Sequence, residues 1–170
     1  LATLGSATVN NAGGIIRMYA SNGQTLQIDS GVTLQGYGDL TQYWGGNTII
    51  NAGTIIGNTA GQTFNISPAT FTNSGTGSLV SSGPINLTTS ATFKPVESGA
   101  TWTMNAGSSL SATSSTLSLG VDYSWPSGLT MTLSGGTVSG AGKLTNLGTV
   151  TLSGAACTVS APFDNQGSWN

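Results

Sequence analysis

Four stretches of the chain alternate apolar and polar residues around one template, apolar-x-Asn-x-Gly-x-apolar: Val9/Asn11/Gly13/Ile15, Ile49/Asn51/Gly53/Ile55, Leu144/Asn146/Gly148/Val150 and Phe163/Asn165/Gly167/Trp169. Side chains on an extended chain alternate with period 2, so the apolar residues, the Asn and the Gly of each copy point to one side. Shorter alternating runs lie between the copies: Leu26/Ile28, Val32/Leu34, Phe64/Ile66, Ile85/Leu87, Leu117/Leu119, Met131/Leu133 and Val150/Leu152, each bounded by Gly, Asn or Ser. They read as strands. No ten-residue segment has the i, i+3, i+4 apolar spacing of a surface helix, and the density of Gly, Thr, Val and Ser penalises one. The chain is therefore all-β. Self-similarity over tens of residues marks units that cannot bury an apolar face alone and must stack. A unit of about 20 residues, with two or three short strands joined at Gly-containing corners, is one coil of a single-stranded β-solenoid, and about eight or nine such coils fit. A two-sheet sandwich also shows short strands between turn residues, but gives no reason for the Asn template to recur.

Asn-x-Gly serves as a phase marker at Asn11, Asn51, Asn73, Asn105, Asn146 and Asn165, with steps of 40, 22, 32, 41 and 19. Most steps lie near one or two multiples of 20; the step of 32 does not. The copies at Asn73 and Asn105 are imperfect, with Gly77 and Ser109 where the second apolar residue belongs. Facing inward, each amide bonds to the amide of the next coil and the six form a structural Asn column. At a corner, Asn tolerates the left-handed conformation and bonds to the local turn. The shared register with apolar neighbours favours the inward column.

Charge changes the picture by its scarcity. Of 170 residues only 5% are charged, the net charge is −2 and there is no His. A nucleic-acid partner needs a basic footprint, and none is present. The 26 Thr, 23 Ser, 26 Gly and 13 Asn make up just over half of the chain, so its polar surface is hydroxyl and amide, a composition expected outside cells. The 37% of hydrophobic residues in ordered alternation argue against disorder. Cys157 has no intrachain partner, and its small neighbours predict a buried thiol. No apolar run is long enough for a membrane span, so no membrane insertion is expected.

The carboxylates are Asp29, Asp39, Glu97, Asp122 and Asp164, and the bases Arg17, Lys94 and Lys143. Hydrolysis of a glycosidic bond needs two carboxylates across a sugar. Here the acids are scattered, and only Asp122 and Asp164 are spaced for a meeting about two coils apart. Ser-based triads and most metal sites need the His that is missing. The expectation is no enzyme, no catalytic residue, no metal and no cofactor.

Aromatic residues offer the alternative chemistry. Tyr37, Tyr43 and Trp44 fall in a Gly-rich insert from Gly36 to Gly46, and Tyr123 and Trp125 in another break of the pattern. Exposed rings at those places would contact a glycan or a neighbouring subunit. Thr-x-Thr at Thr101/Thr103, Thr130/Thr132 and Thr149/Thr151 resembles the hydroxyl arrays of ice-binding solenoids, though the three are not at one period. Asn65-Ile-Ser67 and Asn86-Leu-Thr88 match the glycosylation acceptor pattern.

The template runs to both ends. Residues 1–15 enter it at once and Phe163–Trp169 completes a copy, so no capping element is expected at either end of a single domain spanning 1–170. Joining one chain's end to another's beginning gives a step of 16 from Asn165 to the next Asn11, near the internal period. Coil stacking is predicted to continue beyond the segment, through a longer polypeptide or through head-to-tail association with further copies.

The runs Asn146-Leu-Gly-Thr-Val-Thr-Leu, Ile50-Asn-Ala-Gly-Thr-Ile-Ile and Asn165-Gln-Gly-Ser-Trp resemble the β-solenoid repeats of large bacterial surface proteins, the filamentous-haemagglutinin-like adhesins and autotransporter passengers. The resemblance implies a right-handed β-helix, an extracellular or cell-surface location, and a role as stalk, fibre or adhesin. No Arg-Gly-Asp tripeptide supports a named receptor. The expected function is thus an extracellular structural protein that forms a fibre, sheath or surface layer by end-to-end stacking with itself. The alternative is a polysaccharide-binding adhesin or phage-fibre module that uses exposed aromatic inserts.

Overall fold

The structure, a computed structural model, describes residues 1–170 apart from 1, 5, 20, 88–90 and 155, with the backbone alone for 2–4. Every regular element among the described residues is a strand, and every ladder between strands is parallel. The backbone winds through three faces in turn, as in Thr48–Asn51 on face 1, Thr54–Gly57 on face 2 and Phe64–Ser67 on face 3, before Thr70–Asn73 resumes face 1 one rung on. Each rung advances ~4.8 Å along the axis. The chain is a β-solenoid.

Face 1 is an eight-stranded sheet and sets the number of coils at about seven turns. Its rungs are headed by seven threonines in one unbroken register: Thr25, Thr48, Thr70, Thr92, Thr116, Thr137 and Thr158. Successive steps along the chain are 23, 22, 22, 24, 21 and 21. The coil is therefore longer than the unit inferred from the Asn markers, which is why fewer turns fit than the eight or nine expected. Threonine suits this outward position because its β-branch favours extended backbone while its hydroxyl stays at the surface.

Face 2 and face 3 share their first two strands. Ala7–Met18 and Val32–Gln42 are long enough to run along both faces, and the bend between them falls at Gly36 and Gly38, with φ of +119° and +118°. A Cβ at Gly36 would overlap the Asn11 carbonyl oxygen of the rung before, so neither the backbone angle nor the space admits a side chain. The Gly-rich segment expected as an insert is thus a bent strand as far as Gln42. The glycines there turn a corner and do not open a loop.

Alternation fills the interior. Ile49 and Phe71 from face 1, Ile55 and Leu79 from face 2, and Leu40, Ile66, Leu87 and Leu133 from face 3 are all fully buried. Each side chain of this size stabilises the fold by roughly 1.5–3 kcal/mol relative to exposure. Face 2 contains one irregularity. No ladder among the described residues joins Thr101–Met104 to Tyr123–Trp125, which begins a separate three-stranded sheet with Leu144–Asn146 and Phe163–Asn165. Rings fill the gap: Trp102 stacks on Tyr123 with centroids 4.5 Å apart, and Trp125 lies 5.8 Å from Trp102.

Candidate functional site

The asparagines occupy two different corners. Asn51 and Asn73 close strands of face 1 and pair in register, whereas Asn146 and Asn165 close strands of face 2 and pair there. Asn11 sits opposite Gly36 at the bend between faces 2 and 3, and Asn105 follows the face 2 strand Thr101–Met104 as an exposed residue. One continuous column of six is therefore not what the coils build. The step of 32 from Asn73 to Asn105 is one coil plus one face, so the marker changes corner while the coil length stays regular.

Where two asparagines meet they form a bracket. Asn51 donates its amide to Asn73 Oδ1 at 2.8 Å and to the Ser78 carbonyl at 3.2 Å, and Asn146 donates to Asn165 Oδ1 at 2.7 Å and to the Ser168 carbonyl at 3.0 Å. Ser78 and Ser168 open the following face one rung further on. Asn73 treats the carbonyls of Pro95 and Thr101 in the same way, at 2.9 and 2.8 Å. The inward and the corner readings thus coincide in one buried side chain, which satisfies the carbonyls of the turn and links successive coils. Asn11 instead closes a local turn, accepting from Gly14 N at 2.8 Å and donating to its carbonyl at 3.0 Å. Asn105 donates to Ser82 Oγ at 3.1 Å.

The aromatic candidates separate into two groups. Trp125 is 0% exposed and donates its indole N–H to the Leu129 carbonyl at 3.2 Å. Tyr123 is packed against the core beneath Trp102, and burial raises its phenol above the ordinary range. Neither ring is a surface insert, because the strand Tyr123–Trp125 turns them inward at the gap in face 2. Tyr37 lies across Gly13, where a Cβ would meet its ring. Tyr43 and Trp44, in contrast, are 51% and 48% exposed. They are joined by Tyr19, 63% exposed, whose part the sequence pattern does not announce.

Ladder register assembles this surface group. Ile15, Arg17 and Tyr19 alternate outward along the last strand stretch before residue 20, and the next rung carries Asp39, Thr41 and Tyr43. Tyr43 N donates to the Met18 carbonyl at 2.9 Å, extending the ladder so that the Tyr19 and Tyr43 centroids lie 4.6 Å apart. Trp44 meets Tyr43 edge to face at 5.0 Å, and the Arg17 guanidinium lies 5.9 Å from the Tyr43 centroid. Buried Asn47 fixes the corner that carries them. Its amide donates to the Trp44 carbonyl at 3.1 Å, its N–H to Gln42 Oε1 at 2.8 Å, and its Oδ1 accepts from Gln24 N at 2.8 Å.

The acids stay apart. Asp39 accepts from Asn65 Nδ2 at 2.6 Å, and Asn86 donates to Asn65 Oδ1 at 3.2 Å, forming an outward polar ladder next to the rings. Asp122 accepts from Lys143 N at 2.8 Å, and Asp164 from Gln166 at 2.8 Å, with the strand Leu144–Asn146 between their rungs. No cluster of three or more His, Cys, Asp or Glu exists among the described residues. The Thr-x-Thr pairs Thr130/Thr132 and Thr149/Thr151 lie on adjacent rungs of face 3, while Thr101/Thr103 lies on face 2. The Cys157 thiol packs against the core and donates to the Leu133 carbonyl at 3.2 Å. Thr88 of the second acceptor sequon is outside the described residues.

No family model matches this chain, and neither a curated protein nor a solved structure is found that matches it.

Proposed function

We propose that the chain is an extracellular structural protein whose coils continue end to end into a fibre, sheath or surface layer. One observation carries this reading: the coils repeat in a single parallel register, with the face 1 threonines aligned from Thr25 to Thr158, so a further coil of the same kind can add to the stack at the same spacing. In the last described coil Ser168–Trp169 pairs with Thr149–Ser153, and Phe163 and Trp169 form a partly exposed ring pair with centroids 4.8 Å apart. A parallel edge next to apolar side chains is a template for another coil of the same kind. That coil comes from the same polypeptide or from a second copy, and either source extends the ladder.

The hydroxyl-rich, charge-poor surface suits a material outside the cell, where stability comes from backbone bonding and not from ion pairs. Negative-stain electron microscopy of the purified chain, with sedimentation over a range of concentrations, tests the proposal. Unbranched filaments with an axial subunit repeat of about 38 Å are expected, eight rungs at ~4.8 Å. Trp169→Asp, which places a charge at the docking edge, is expected to abolish them. Monodisperse monomers at all concentrations overturn end-to-end stacking of separate copies.

A further inference from the structure

We infer that Tyr19, Tyr43, Trp44 and Arg17 form a binding site for an acidic polysaccharide on the side of the rod. This inference does not depend on filament formation, because the site lies on face 3 and its adjoining corner.

Three large rings at roughly half exposure or more, in mutual contact on the surface of a charge-poor protein, are not explained by folding. Phe71, Phe93, Trp102 and Trp125, by contrast, are drawn into the interior. An exposed cluster of this kind marks a contact surface. The rings are also held in place. Buried Asn47 ties the Trp44 carbonyl, the Gln42 side chain and Gln24 N into one corner, and the ladder bond from Tyr43 N to the Met18 carbonyl sets the distance between the two tyrosines. A site fixed by backbone and buried amide loses little entropy when a ligand arrives.

The neighbouring groups indicate the ligand. Aromatic faces pack against the C–H faces of a pyranose, and the phenol and indole rims supply hydrogen bonds to its hydroxyls. Around the rings stand Thr41, whose hydroxyl accepts from Ser67 Oγ at 2.7 Å, and the amides of Asn65 and Asn86, groups that match sugar hydroxyls, while the Asp39 carboxylate is held by the Asn65 amide. The cleft of about 290 Å³ between Ile16–Met18 and Gln24–Leu26 belongs to the end of the stack, where Ile16 and Leu26 border the core, and is not part of this side-face site. Arg17 decides between neutral and acidic chains. It is exposed, one of three cations in the protein, and its fork geometry pairs a carboxylate in two-point contact while its other face rests near Tyr43. A uronate residue stacked on the rings would set its carboxylate towards that guanidinium.

Affinity electrophoresis and calorimetry with the full chain test the site, with polygalacturonate as the acidic probe and dextran as the neutral one. Binding to polygalacturonate that weakens with salt is expected. Trp44→Ala and Tyr19→Ala are each expected to weaken it at least about tenfold with an unchanged melting temperature. Arg17→Gln is expected to bring the acidic probe down to the level of the neutral one, and Asn105→Ala, at an exposed corner away from the rings, to retain full binding. Equal affinity for both probes in the parent chain, no binding to polygalacturonate, or retention of full affinity in Trp44→Ala each overturns the inference. So does a change of oligomeric state in Trp44→Ala, because the rings would then be a contact between copies.

Discussion

The two ring clusters of this molecule have nearly the same composition and opposite fates. Trp102, Tyr123 and Trp125 lie inside, with Trp102 4.5 Å from Tyr123 and 5.8 Å from Trp125; Tyr19, Tyr43 and Trp44 lie outside, with neighbours 4.6 and 5.0 Å apart. The inner cluster replaces a missing piece of ladder on face 2, so its packing substitutes for backbone pairing. The outer cluster stands beside an intact ladder and adds nothing that the coil needs. Ring geometry alone therefore does not distinguish a structural cluster from a contact site; what distinguishes them is whether the adjacent backbone is already satisfied.

Deleting one tryptophan from each cluster gives the widest separation. Trp125→Ala should lower stability by about 3–5 kcal/mol through the cavity it leaves, while Trp44→Ala should change it by no more than about 0.5 kcal/mol. Denaturant midpoints compare the two directly, and equal losses would erase the distinction. Next come the asparagines that support each cluster. Asn146, in register with Trp125, brackets the inner sheet, and Asn47 anchors the outer corner. Asn146→Ala and Asn47→Ala should each cost about 1–3 kcal/mol by leaving buried partners unpaired, against little for the exposed Asn105→Ala. Only Asn47→Ala should alter the near-ultraviolet circular dichroism of the surface rings while leaving the inner ones in place.

Alkali tests the burial of the inner cluster. Burial raises the Tyr123 phenol above its ordinary value of 10.0, so the unfolded chain releases this proton first as pH rises. Its contribution to stability is complete below about pH 10 and is lost progressively above it. The melting temperature should fall as pH rises above about 10, and Tyr123→Phe should reduce that fall. The smallest expected effect is optical: acrylamide should quench Trp44 readily, so Trp44→Phe should remove most of the quenchable fluorescence apart from that of Trp169.

Period-2 alternation made strands such as Phe64–Ser67 and Met131/Leu133 legible without coordinates, since a half-buried strand needs little beyond its own sequence. The recurrence of the Asn template likewise pointed to stacked coils. The threonine ladder was equally present in the chain, as Thr followed by an apolar residue at steps of 21 to 24, but 26 threonines concealed the seven that align. A second misleading signal was the Gly36–Gly46 segment, where glycines that turn a strand around a corner look like those of a loop.

Whether a ring faces in or out, and at which corner an asparagine stands, was not legible. Asn73 and Asn105 carry the same local motif, yet one is buried between coils and the other is exposed. The sequence by itself determined strand character, the absence of helix and the need to stack, because those follow from side-chain alternation within a few residues. Tertiary structure alone decided coil length, the break in face 2 and the meeting of Tyr19 with Tyr43, which stand a full coil apart along the chain, because register between coils depends on the summed length of three strands and three corners.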